Sequence, residues 1–294
     1  MKKIIIFLLI GILMSSCSNI KSTDIEPPFE NTKEIEKEEK ILINPAGTTL
    51  KTRILTPEGY ERTDESNESL TSFLRNYEMK EHSSPVLLYD GTEKWNQNAH
   101  AAVFKLPLED EDLQQCADSI MRVFAEFYWH KGQHEKIAFH FTNGFLCEYS
   151  KWKEGYRVSV TDGGAHLKKS ASYDDSYEAF VKYMRIVASY AGTSSMEAFE
   201  SETISLSDLN TGDVILKGGS PGHVVMVADI CLNSDGKKAF LLAQGYMPAQ
   251  EFHILLNPAH EDDNPWYFEE DLKFPLHTPE YTFDNENMIK RLKY

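Results

Sequence analysis

Four apolar runs of strand length crowd the last third of the chain: Asp213 to Leu216, His223 to Ile230, Ala239 to Gln244 and Phe252 to Leu256. Gly, Pro, Asn or Ser separates each from the next. On the third run both alternating sets are apolar, Phe240 and Leu242 on one and Leu241 and Ala243 on the other. That pattern predicts a strand covered on two faces. Helical periodicity comes earlier. Leu70, Phe73, Leu74 and Tyr77 predict a helix over Ser69 to Met79. Leu113, Ala117, Ile120, Phe124, Phe127 and Tyr128 form one stripe over Asp112 to Trp129, with Asp112 placed to cap it. A third helix is expected from Ser176 to Tyr190, stopped near Gly192. Shorter strands are expected at Pro85 to Tyr89, Ala101 to Leu106 and Ile137 to Phe141. Helices first and an antiparallel sheet second give α+β, as one domain over 41–294 with an insertion around 130–175.

Lys plus Arg number 30 against 46 Asp plus Glu, a net charge of −16. So acidic a chain repels a phosphate backbone, and no basic patch offsets it, so no nucleic-acid partner is expected. Four cysteines do not staple a fold of 294 residues. At the N-terminus, Lys2 and Lys3 precede an apolar run from Ile4 to Met14. A membrane-spanning helix needs roughly 20 residues, so residues 1–16 read as a signal peptide. The run ends in Met14-Ser15-Ser16-Cys17. Those residues resemble a bacterial lipobox, with Met14 in the usual place of Leu. The resemblance implies cleavage before Cys17, acylation of its thiol and of the new amino group, and so a membrane partner through the lipid. Ordinary secretion is the alternative. Ser18 points to the outer membrane facing the periplasm, with the cell surface as the other address. Residues 17–40, with Pro27-Pro28 and the charged run Lys33 to Lys40, read as a lipidated tether.

Three residues carry the chemistry. Cys116 is expected near a helix start, where the helix dipole favours a thiolate and lowers its pKa. It also sits at the edge of the apolar stripe, where the alternative is a packing residue, the reading given to Cys147 and Cys231. His223 opens a strand after Gly218-Gly219-Ser220-Pro221-Gly222, and Gln244 ends the next strand. Hairpin pairing would bring the Gln244 amide to the His223 ring, where it could orient the imidazole.

Helix-borne Cys, then His and Gln on successive strands, resembles the order in papain-like cysteine hydrolases. Leu209-Asn210-Thr211-Gly212-Asp213 through Gly222-His223-Val224-Val225-Met226-Val227 is similar to the histidine segment of NlpC-type and CHAP-type amidases. Gln115-Cys116, before a helix carrying Arg122, resembles the CHAP nucleophile segment, and Leu241 to Tyr246 resembles the strand of the third residue. The Cys to His gap is longer than those families usually show. Asp112 to Asp118, Phe141-Thr142-Asn143-Gly144, Tyr190-Ala191-Gly192-Thr193, Gly218 to His223 and Gln244 to Gln250 look like a bacterial lipoprotein family known as domain of unknown function 4846. That family's more usual Ser after Gln244 is Gly245 here.

The resemblance implies a papain-like fold and a lipid-anchored envelope amidase or endopeptidase acting on peptidoglycan peptides or a similar amide. Cys116 would be nucleophile, His223 general base and Gln244 orienter. Helix-start N–H groups, with Gln115 or Gln114, would hold the oxyanion, while Tyr246 and Trp152 would line the substrate groove. No cofactor or metal is required. A non-catalytic lipoprotein binding peptide or glycan in the same cleft is the alternative. Asp118, Arg122 and Glu126 read as a solvated charge ladder opposite the stripe. His130 and His134 are spaced for a zinc pair, but Gly132 stands between them.

Overall fold

The computed structural model describes residues 41–161 and 163–294. The expected signal peptide, Cys17 and the tether lie outside them. Residues 41 to 294 belong to one compact unit. Six α-helices occur among the described residues: α1 (Leu50–Arg53), α2 (Leu70–Arg75), α3 (Cys116–His130), α4 (Tyr149–Lys153), α5 (Tyr177–Tyr190) and α6 (Thr193–Phe199). None is long and apolar enough to cross a membrane. The fold is α+β.

Nine strands among these residues make the main sheet: β1 (Tyr60–Arg62), β2 (His100–Val103), β3 (Ser201–Thr203), β4 (Val214–Lys217), β5 (His223–Asn233), β6 (Lys238–Gln244), β7 (His253–Leu255), β8 (Trp266–Phe268) and β9 (Ile289–Leu292). Their order is β2-β7-β6-β5-β4-β9-β3, with β1 added to β5 and β8 to β6. Every pairing is antiparallel. One edge of β6 follows β5, while its other edge is shared, Ala239 to Leu241 by β8 and Ala243 to Gln244 by β7.

The two apolar sets of the central strands separate as the pattern predicts. Val224, Met226, Ala228, Leu241 and Ala243 pack under the helices, whereas Val225, Val227, Phe240 and Leu242 join a second core on the opposite face. That second core is closed by Leu276 and Phe283 of a C-terminal hairpin (Leu276–His277 with Thr282–Phe283). Residues 130–175 hold two further hairpins, Ala138–His140 with Leu146–Glu148 and Tyr156–Thr161 with Gly164–Lys169, with α4 between them.

Several boundaries move for identifiable reasons. Helix α2 begins as expected at Ser69, whose hydroxyl accepts from Ser72 N, but ends at Arg75. The Asn76 amide donates to Ser72 O, a side chain competing for a helix carbonyl, and Glu78 and Met79 then bridge to Thr49 and Phe104. Pro85 to Tyr89 is not a strand. Its N–H groups at Val86 and Leu87 are met by the side chains of Gln97 and Glu251, both at 3.0 Å, leaving only single bridges.

The predicted cap of α3 is also displaced. Asp112 Oδ1 accepts instead from Ala249 N at 2.6 Å and from Gln115 Nε2 at 3.0 Å, so the helix starts after Gln115 and Cys116 is its first residue. Gly132, at φ +66°, closes the other end in the left-handed conformation. The supposed solvated ladder is interior, with Asp118, Arg122 and Glu126 all buried. Arg122 Nε donates to Glu126 Oε1 at 2.7 Å and Arg122 Nη2 to Tyr177 OH at 2.9 Å. A polar stripe on α3 thus meets α5 rather than water.

Candidate functional site

The sheet places His223 and Gln244 together. Ala243 pairs with Met226, which sets Gln244 across from Val225, two positions along from His223 and on the same face. The bond that results runs from His223 Nε2 to Gln244 Oε1 at 2.8 Å. Both side chains are buried. The imidazole lies between Tyr246 and Tyr281, with ring centroids at 4.7 and 4.8 Å, and Phe283 stacks at 6.0 Å. Burial, first, and the nearby Lys94 ammonium push the His223 pKa down to about 4 despite the Gln244 bond. The ring is therefore neutral at pH 7.

Cys116 approaches the start of β5 from the helical layer, the face opposite to the one His223 shares with Val225. The backbone N–H groups of Ala117, Val224 and Cys116 itself are directed at its sulfur, and Val224 is the residue after His223. A charge on Cys116 is also felt by Tyr246, the ring that flanks His223. The close approach needs Gly245. A Cβ there would overlap Ser119 Oγ and come within 2.9 Å of Gln115 O, so the missing side chain lets the end of β6 touch the start of α3. On the far side, a Cβ at Gly222 would meet Lys217 O at 2.8 Å, which explains a glycine immediately before His223.

The thiol departs from expectation in one respect. Desolvation, followed by the Asp118 carboxylate, pushes Cys116 up to about 11, against the N–H groups at the helix start. Burial therefore outweighs the helix-dipole effect that predicted a lowered value. Asp118 is itself raised to about 8 by burial, and its Oδ1 has no hydrogen-bond partner. At rest the thiol and the imidazole are both neutral, and no hydrogen bond joins them among the described residues.

Two residues of the site carried no signal in the sequence. Glu280 Oε2 accepts from Gln244 Nε2 at 2.8 Å and from Lys94 Nζ at 2.6 Å. Lys94 Nζ also lies 3.4 Å from His253 Nε2, and His253 Nδ1 stands 2.8 Å from Glu251 O. Glu280 and Tyr281 come from the turn of the C-terminal hairpin, pinned by Thr278 N to Tyr281 O at 2.9 Å. Tyr246 OH donates to Glu280 O at 3.2 Å. Outside the rings lies an open groove of ≈ 570 Å³ lined by Trp95, Asn96, Tyr246, Thr278, Glu280 and Tyr281. Trp95 is 92% exposed, an aromatic face presented to whatever enters.

Other expected site residues stand elsewhere. Tyr246 does line the groove. Trp152 does not, because it is buried against Tyr183 with the Arg157 guanidinium 4.1 Å over its ring. Gln114 is buried and donates to Pro107 O at 3.0 Å, which takes it away from any oxyanion. The Gln115 amide is held by Asp112, so its part is to join the helix start to the 246–250 loop. Among the described residues, no group of three or more His, Cys, Asp or Glu is placed to share a metal ion.

No curated protein and no solved structure matches the chain. One family model does, over residues 50–291, spanning both helical and sheet layers and all the residues just described. The chain belongs to the family described as Domain of unknown function (4846).

Proposed function

We propose that this protein is a papain-like cysteine hydrolase, anchored by lipid in the cell envelope, that cleaves an amide bond such as those of peptidoglycan peptides. One observation carries the reading. The His223 Nε2 to Gln244 Oε1 bond leaves the other ring nitrogen, Nδ1, with no hydrogen bond among the described residues, and Cys116 Sγ sits over the N–H of the very next residue, Val224.

In this reading the Cys116 sulfur attacks the carbonyl carbon as His223 Nδ1 takes the thiol proton, so the ion pair forms only during attack. The developing oxyanion would be met by the Cys116 and Ala117 N–H groups at the start of α3, which already face the sulfur. Collapse breaks the C–N bond, and the departing amine takes the proton from His223. Water then adds to the thioester with His223 as base, releasing the acid and restoring the thiol. The groove at Trp95, Tyr246 and Tyr281 would hold the substrate against this pair. The envelope address rests on the leader and Cys17.

The test is the release of stem peptides from purified sacculi. Wild type should release them and Cys116→Ala should release none; an active Ala variant would overturn the reading. A second reading, a lipoprotein that only binds peptide or glycan in the groove, is favoured by the raised thiol pKa and the bare face of Trp95. It predicts binding to sacculi that Cys116→Ala leaves intact and no release by either form.

A further inference from the structure

The hydrogen bonds that lead from Lys94 to His223 can be given directions from their two ends. Lys94 is donor-only, and its ammonium faces both Glu280 Oε2, at 2.6 Å, and His253 Nε2, at 3.4 Å. His253 Nε2 must then be the acceptor, which puts the proton of that ring on Nδ1, where Glu251 O, an acceptor only, receives it at 2.8 Å. The two ends agree. Glu280, paired with a lysine, is a carboxylate and can only accept, so the Gln244 atom 2.8 Å from it is the NH₂. The Gln244 amide is thereby locked with its carbonyl toward His223. A carbonyl oxygen 2.8 Å from His223 Nε2 requires the proton on that nitrogen.

We infer that the buried Lys94–Glu280 ion pair is a positioning couple: by holding the Gln244 amide in one orientation, it fixes His223 as the Nε2–H tautomer and leaves Nδ1 as the bare, proton-accepting nitrogen. Neither residue touches the reacting atoms, and both act through Gln244. Without the carboxylate, the amide could turn over and present NH₂ to the ring. The imidazole would then carry its proton on Nδ1, where it cannot take one from a thiol. Both members of the couple are buried, with 3% and 7% of their side chains exposed, so solvent does not offer Gln244 a competing partner. Their places in the chain, 186 residues apart, argue against a chance surface pairing. The role of the couple in hydrolysis rests on the proposed function, whereas its control of the tautomer does not.

The experiment reads the His223 ring nitrogens by ¹⁵N NMR, in which protonated and bare nitrogens give distinct signals. In wild type the proton should be on Nε2; a proton on Nδ1 would overturn the inference without any variant. In Lys94→Met/Glu280→Gln, which removes both charges and so leaves neither buried alone, the ring should become a mixture of tautomers. Release of stem peptides should then fall about 10- to 100-fold in kcat with KM unchanged, the range for losing a partner that orients an active group. A folded double variant that keeps a single Nε2–H tautomer and wild-type kcat would also overturn it. A tautomer shift in a protein whose Cys116→Ala form still hydrolyses sacculi would keep the couple and remove the cysteine mechanism.

Discussion

Two buried charge clusters hold the central strands, and they differ in how they end. Asp229, on β5, accepts from Arg75 Nε at 2.7 Å, from Arg62 Nε at 2.6 Å and from Ile230 N at 2.9 Å. Each arginine then spends further N–H groups on backbone oxygens, Arg75 on Thr63 and Ile230, and Arg62 on Ile54. This cluster is closed, because its donors and acceptors are matched within the fold, and it ties α2 and β1 to the sheet. The cluster at the other end of the same strand runs from His253 through Lys94, Glu280 and Gln244 to His223, and stops at a ring with one nitrogen unused. Closure is what a purely structural network attains. An open end is where chemistry or binding can take place.

The largest expected effect tests the closed cluster. Asp229→Ala strands buried Arg75 and partly buried Arg62 and should cost about 3–5 kcal/mol in urea unfolding, as breaking a buried pair does. A cost below about 1 kcal/mol would show the cluster to be ornamental. Next, Gly245→Ala drives a methyl into Ser119 and Gln115 O at the join between α3 and β6, with an overpacking cost of about 1–3 kcal/mol. Its loss of sacculus hydrolysis should exceed what the unfolded fraction explains; equal losses would mean the join serves stability alone.

Asp118 sharpens the contrast by pH. The fold keeps its carboxyl protonated up to about pH 8, while an unfolded chain releases that proton near 4, so the folded state binds the extra proton between. Stability from this group is present in acid and declines by about 1 kcal/mol per pH unit as pH rises through that window. Asp118→Asn should flatten the decline in urea titrations from pH 4 to 8; an unchanged slope would refute the assignment. The smallest stability effect belongs to Trp95→Ala, within about 0.5 kcal/mol for so exposed a side chain. The same change should raise KM for sacculi or weaken binding to them, and an unchanged KM and affinity would exclude the groove as the binding face.

Much of the sheet was legible because its signal is local. The doubly apolar strand Lys238–Gln244 carries both cores in its own alternation, and its pairing to His223–Asn233 follows from a short turn. The meeting of His223 with Gln244 came from the same source. What the sequence hid was set by partners far along the chain. Arg122 and Glu126 looked solvated because periodicity equates polar with wet, yet Tyr177 of another helix covers them. Asp112 looked like a cap because nothing nearby announced that Ala249 N would take its carboxylate. Lys94 and Glu280 sit in polar loops with no period at all. The rise of the Cys116 pKa was hidden for a related reason, since local position shows the helix start but not the depth at which it is packed.

Glu280 and Tyr281 are consecutive residues at one hairpin turn, the first held against Gln244 and the second lying on the face of the imidazole. A wall of the groove and the carboxylate that holds the Gln244 amide are therefore one piece of chain. On the proposed reading, a molecule settling in the groove against Tyr281 would also be felt by Glu280, so recognition and readiness would share a single lever.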